Sequence, residues 1–248
     1  MALDTKARLS MNASGVAAKE IDEGLRRYML SVYNYMASGV ILTGILAYVT
    51  ANSAFMLNLL YTQSADGRFG PSMLGFVVMF APLAFILVIS FGINKLSAAA
   101  TQAVFWAFCA VMGLSLSSIF LQYTGVSIAR VFFITSATFG AMSLYGYTTK
   151  RDLTGMGSFL MMGLIGIIIA SVVNMFMQSS VMQFAISVIG VLIFVGLTAY
   201  DTQKIRRMYL AADSHETMSK KAIMGALTLY LDFINLMLML LHLFGNRR

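Results

Sequence analysis

The chain predicts an all-α polytopic membrane protein with seven transmembrane helices, and three observations carry that prediction. Hydrophobic residues make up 59% of its 248 residues and charged residues 11%, against roughly 25% charged in a soluble domain. The apolar residues gather into seven runs, each near the ~20 residues a helix needs to cross about 30 Å of hydrocarbon. The 17 Lys and Arg residues crowd into alternate connections between those runs, the asymmetry that orients membrane helices.

The runs cover residues 28–50, 72–93, 103–123, 128–148, 157–177, 181–200 and 222–244, taken here as spans one to seven. Residues 1–27 carry Lys6, Arg8, Lys19, Arg26 and Arg27 and no cleavable apolar segment, which predicts a cytoplasmic tail at the membrane surface. The membrane domain is then 28–248. With the N-terminus inside, Lys95, Lys150, Arg151, Lys204, Arg206, Arg207, Lys220 and Lys221 join the tail on the inner face. Arg68, Arg130, Arg247 and Arg248 are left on the outer one. The terminal arginine pair would prefer the inside if the last run were re-entrant, so six spans plus a re-entrant segment stays an alternative.

Small residues four apart let helix backbones approach where lipid supplies no hydrophobic drive. Gly39/Thr43/Ala47, Gly113/Ser117, Ser136/Gly140 and Gly166/Ala170/Asn174 are such stripes. Pro82 removes a backbone donor in span two and predicts a kink there. Lys95, Lys150 and Lys204 recur at nearly equal intervals, and the text around Tyr147 to Arg151 echoes Tyr200 to Lys204. This suggests three repeated hairpins with span seven apart, although similar span lengths give similar spacing without any repeat. The 20 Met residues read as plastic filler. Cys109, the single cysteine, allows neither a disulfide framework nor a Cys-based metal site.

On span seven, Gly225, Thr228, Asp232, Asn235, Met239 and His242 fall on one side at 100° per residue. A polar stripe at that depth must face protein or water, which predicts span seven at the centre of the other six. Asn235 suits either a helix-to-helix hydrogen bond or an ion contact. His242 lies near the outer end.

Asp201 and Asp232 sit in or at the edge of the last two spans. An ionised carboxylate at bilayer depth costs roughly 2.5–3.5 kcal/mol on insertion scales, so it normally has a partner, and each is the obvious partner of the other. Two carboxyls brought together share a proton and titrate as one site. Without the proton they repel each other or gather round a hard cation such as Ca²⁺, which prefers oxygen ligands. Depth opposes the pairing: at ~1.5 Å per residue, Asp201 is about 5 Å from Lys204 and Asp232 about 15 Å from Ala222. Either span seven begins below the interface, or span six runs deeper while its basic residues snorkel. A local Asp201–Lys204 bond at i+3 is the alternative.

The run Gly196-Leu197-Thr198-Ala199-Tyr200-Asp201-Thr202-Gln203-Lys204-Ile205, followed by Leu229-Tyr230-Leu231-Asp232-Phe233-Ile234-Asn235, resembles the signature of the Bax-inhibitor family, also called the transmembrane Bax inhibitor motif family. The resemblance extends over the membrane region and excludes the tail. It implies a seven-helix fold with the last helix central, and a pH-sensitive, calcium-permeable leak channel controlled by a pair of aspartates, here Asp201 and Asp232. Thr228 and Asn235 flank Asp232 on the same stripe. Some members place a basic residue of helix two against the pair; the nearest here is Lys95, in Phe91-Gly92-Ile93-Asn94-Lys95, which equally suits a positive-inside anchor.

A non-conducting regulator that binds another membrane protein, in stress or quality control, is the alternative function. An intramembrane aspartyl protease also uses two aspartates, one in a Tyr-Asp pair, but needs Gly-x-Gly-Asp and Pro-Ala-Leu. Tyr230 and Leu231 precede Asp232, and the prolines are Pro71 and Pro82, so the chain reads as no enzyme. No motif for a nucleotide, haem or nucleic acid is present, and no cofactor is expected; the partners are the lipid bilayer, Ca²⁺ and protons. The short segment after span seven and the lack of a retention signal point to a bacterial inner (plasma) membrane.

Overall fold

The computed structural model describes residues 2–63, 69–92 and 95–247, with side chains described from Ile21 onward. Arg68 and Arg248, two of the four cations assigned to the outer face, lie outside the described residues, as do Ile93 and Asn94 beside Lys95 and the side chains of the early tail. The elements run α1 (Ala2–Asn52), α2 (Ala54–Leu60), β1 (Tyr61–Gln63), β2 (Phe69–Pro71), α3 (Met73–Gly92), α4 (Ala98–Gln122), α5 (Gly125–Thr148), α6 (Thr154–Met177), α7 (Ser180–Arg207) and α8 (His215–Phe244). Among the described residues, seven helices are long and apolar enough to cross a membrane: α1 from Ile21, and α3 to α8. The protein is therefore an all-α polytopic membrane protein. Short α2 and the antiparallel β1–β2 pair, with Tyr61 opposite Pro71, lie in the α1–α3 connection, which the sequence analysis left without structure.

Hydroxyl caps set where most helices begin. Ser97, Thr124, Ser179 and Ser214 each accept from the amide three residues on, satisfying one of the four orphan donors of a helix start. Helices α1, α7 and α8 outrun their apolar runs furthest, α1 beginning at Ala2. α7 continues through Lys204, Arg206 and Arg207, cations that suit the negative end of a helix, and α8 starts seven residues before Ala222.

Helix α8 packs against α1, α4, α5 and α7, while α3 packs chiefly on α4 and α6 on α7. In its most apolar stretch α8 is 61% buried, against 17% for α3 and for α6. Four helices thus enclose it, and the outer two do not join in. Of the three hairpins a repeat requires, α6–α7 alone packs broadly; α1 lies on α4 and α8, and α5 on α7 and α8.

Two of the four small-residue stripes make close crossings. Gly39 faces Phe105 and Cys109, and a Cβ on Gly113 would stand 2.8 Å from the Thr43 carbonyl oxygen. Gly140 and Gly166 instead face open space, and Asn174 binds the α6–α7 turn through Gln183 and the Ser179 amide. Another close crossing lies elsewhere: a Cβ on Gly146 would strike the Ala199 carbonyl, fixing α5 against α7. The last helix is unbroken from His215 to Phe244 and is long and apolar enough to cross a membrane. Its end is tied to the α4–α5 turn by Thr124 N–H donating to Asn246 O at 3.1 Å and Asn246 N–H to Ser127 Oγ at 2.9 Å, which favours a span over the re-entrant alternative.

Candidate functional site

The site is built on the antiparallel α7–α8 hairpin. Lys221 closes its turn, donating to the Met208 carbonyl at 3.0 Å and pairing with Asp213 at 2.6 Å. Lys221 therefore stands level with the end of α7, and residues 215–221 carry α8 about 10 Å further at 1.5 Å per residue. Of the two solutions to the depth mismatch, an early start for α8 is the one used. The register continues upward with Gly225 against Ile205 and Gly190 against Met239. The stripe on α8 accordingly faces α7.

Side chains on a helix lean toward its N-terminus. The two helices run in opposite directions, so the side chain of Asp201 leans away from the turn and that of Asp232 leans toward it. The backbones are offset by about one helical turn, yet the two carboxyls come within hydrogen-bonding reach of each other. Asp201 is 7% exposed and Asp232 5%. Oδ2 of Asp232 is buried without a hydrogen-bond partner. Below it a cleft of about 140 Å³ is lined by Asp201, Lys204, Gly225 and Thr228, among others.

Asp201 and Lys204 form no ion pair among the described residues, and Lys204 is exposed, so the local alternative does not hold. Thr228 lines the cleft and donates to the Met224 carbonyl at 3.1 Å. Asn235 is half-buried one turn beyond Asp232, and His242 is exposed at the far end. Lys95 is exposed in the turn that follows α3, a helix that does not pack broadly on α7 or α8. The structure therefore gathers Asp201, Asp232 and Thr228, keeps Asn235 adjacent, and leaves Lys95 apart.

Several polar residues around the site make contacts that spacing and composition do not disclose. Tyr33 of α1 bonds Ser143 of α5 at 2.7 Å, and Ser143 bonds Thr202 of α7 at 2.9 Å, a chain of hydroxyls ending beside Asp201. Thr43 of α1 bonds the Tyr230 hydroxyl at 2.7 Å and the Cys109 carbonyl at 2.8 Å, joining α8 to α1 and α4. Gln203 accepts from Leu153 N–H at 3.0 Å and donates to the Arg151 carbonyl at 2.8 Å, while Arg206 donates to the Tyr147 carbonyl and covers its ring. The polar residues after Asp201 thus clamp the α5–α6 turn. Arg207 completes the clamp, pairing with Asp152 at 2.9 Å. Hydrogen bonds from the Thr154 hydroxyl and amide, then Arg207, hold the Asp152 carboxyl down at about 2.

A membrane bundle of seven helices with a buried carboxyl pair between its last two is the class these features define. The chain belongs to the Bax inhibitor family: the family described as "Inhibitor of apoptosis-promoting Bax1" matches residues 25–248. It is 51% identical over 230 residues to protein RP147 of Rickettsia prowazekii, covering 93% of this chain and 94% of that one. It is likewise 51% identical over 227 residues to the inner membrane protein YbhL of Escherichia coli K12, covering 91% of this chain and 94% of YbhL. A Caulobacter vibrioides protein is 45% identical over 233 residues, 94% of this chain and 93% of its own.

Proposed function

We propose that the protein is a pH-sensitive leak for calcium across the bacterial inner membrane, controlled by the Asp201–Asp232 pair. The observation that carries this reading is a buried carboxyl pair at mid-helix with one oxygen, Asp232 Oδ2, left without a partner. Two carboxyls in contact need a proton between them. While it is there, the pair bonds α7 to α8; when it leaves, two charges face each other and the site attracts a cation. Two carboxyls supply far fewer oxygens than the 6–8 that hold Ca²⁺ in a resident site, which suits an ion in passage. The pair is not read as catalytic, and no cofactor is assigned to it.

Calcium flux into liposomes, measured across pH, tests the proposal. Wild-type protein is expected to pass more Ca²⁺ as the pair loses its proton. Asp201→Asn and Asp232→Asn should each flatten that pH dependence, and the double substitution should be no worse than the more severe single one, because groups acting as one site are not additive. Single variants that behave as wild type would remove the pair from the mechanism. Purified protein with no flux at any pH would favour the non-conducting regulator.

The family relative YbhL is by name an inner membrane protein, and the same location with a cytoplasmic N-terminus is proposed here from the charge bias. Tags at the N-terminus and in the 211–217 turn are expected inside intact cells, and a tag after Arg248 outside. A cytoplasmic C-terminal tag alongside a cytoplasmic N-terminal one would instead support the re-entrant alternative for the last helix.

A further inference from the structure

Gly140, of the small-residue pair Ser136/Gly140, faces open space, and that space is a groove. Helices α1 and α5 do not pack along each other; between them lies a cleft of about 540 Å³ lined by Met29, Leu30 and Tyr33 of α1 and by Phe139, Leu144 and Tyr147 of α5. Gly140 lines it and has nothing within 4 Å of where its Cβ would be. At its inner end the groove reaches Arg26, and through Tyr147, whose ring lies under the Arg206 guanidinium, it adjoins a second, polar pocket. That pocket, of about 460 Å³, is lined by Lys150, Arg206 and Arg207 with Thr149 and Gln203. Lys150 and Arg206 pair with no carboxylate among the described residues.

We propose that this composite site binds one anionic phospholipid, with its phosphate on Lys150, Arg206 and Arg26 and an acyl chain in the α1–α5 groove. Charge complementarity selects the headgroup, because basic pockets between membrane helices attract anionic lipid heads. Length selects the tail. From Tyr147 to Phe139 the groove runs about 12 Å at 1.5 Å per residue, close to one leaflet of a hydrocarbon core about 30 Å thick. A partner transmembrane helix would need a contact running the whole thickness of about 30 Å, which the groove does not offer. The floor of the groove is the Tyr33–Ser143 hydrogen bond, and Ser143 continues to Thr202, next to Asp201. A lipid seated there lies against the hydroxyl chain that ends at Thr202, the residue after Asp201, and its binding does not depend on any role for the carboxyl pair.

Native mass spectrometry of the purified full chain, with added phosphatidylglycerol or phosphatidylcholine, tests the site. Wild-type protein should retain one phosphatidylglycerol in preference to phosphatidylcholine. Gly140→Leu, which fills the groove, should reduce that retention about tenfold, while Gly166→Leu, at an equally open glycine on α6, should leave it unchanged. Arg26→Gln with Lys150→Gln, two exposed cations, should cost about fivefold for each cation removed, the fold-change matching about 1 kcal/mol per basic residue near an anionic surface, and should level the preference between the two lipids. Equal retention of both lipids by the wild type, or a Gly140→Leu variant that binds as wild type does, would overturn the proposal. Circular dichroism melts of each variant separate lost binding from lost fold.

Discussion

The α7–α8 seam and the outer helices α3 and α6 are made under opposite rules. α3 and α6 are strongly apolar and only 17% buried, whereas α8, which carries Asp232, Asn235 and Thr228, is 61% buried. In a soluble protein the most apolar helix would be the most enclosed. Here lipid is as apolar as a leucine side chain, so apolar surface gains nothing from being covered, and polar groups are the ones that must be. Exposed Phe159, Ile165, Ile168 and Phe176 on α6 are therefore in their proper solvent. Polarity, read along a membrane helix, marks the interior.

The sharpest way to break this contrast is a methyl group. Gly146→Ala would drive a Cβ into the Ala199 backbone, whereas Gly166→Ala on α6 meets nothing. The first is expected to lose about 1–3 kcal/mol, the usual cost of overpacking, and the second to stay within about 0.5 kcal/mol. Thermal melts of both variants in one detergent would check this, and equal melting temperatures would erase the distinction between seam and periphery.

A smaller effect separates the two sides of α8 itself. In a Cys109→Ala background, single cysteines at Thr228, Asn235 and Met239 replace half-buried residues of the polar stripe, and those at Leu229, Leu236 and Leu240 replace buried apolar ones beside it. The first set is expected to react with a water-soluble thiol reagent several-fold faster once the pair has lost its proton, because only hydrated thiols ionise and react readily. Uniformly slow rates at every pH would make the stripe a dry packing surface.

The least effect is expected at Asp152. Its carboxyl is held down at about 2, so its contribution to the clamp is fully present above the ordinary carboxylate range and is lost only as pH falls through about 2. Asp152→Asn should leave the pH profile of calcium flux where it was. A shifted profile would mean that the α5–α6 clamp, and not the carboxyl pair alone, senses protons.

What the sequence disclosed follows the same division. The seven spans were legible because each is a long apolar run, and the facing of the α8 stripe followed from helical periodicity once Asp201 and Asp232 were taken as partners. The ends of α7 and α8 were not, because both helices continue into charged residues that an apolar run excludes; the early start of α8 resolves the depth mismatch. Ser143 and Tyr33 carried no signal, since a hydroxyl in a span can bond its own helix as readily as a neighbour, as Ser136 does to the Phe132 carbonyl. Gly140 and Gly146 look alike in sequence, yet one opens a groove and the other seats a crossing. Spacing alone does not say which helix lies opposite. Lys95 was drawn toward the pair by resemblance, and its helix packs elsewhere.

The two fastenings of α8 have a mechanical consequence. Lys221 holds it to the α7 terminus and Asp213, and the bonds of Asn246 to Thr124 and Ser127 hold it to the α4–α5 turn. Asp232 lies between these anchors, closer to neither by more than a turn or so. A rod pinned at both ends has no piston stroke; pushed at its middle it can only bow or twist about its long axis. Electrostatic repulsion at Asp232 would thus be spent where the lever arm is longest, and the widest displacement would fall at mid-membrane while both surfaces of the protein kept their shape.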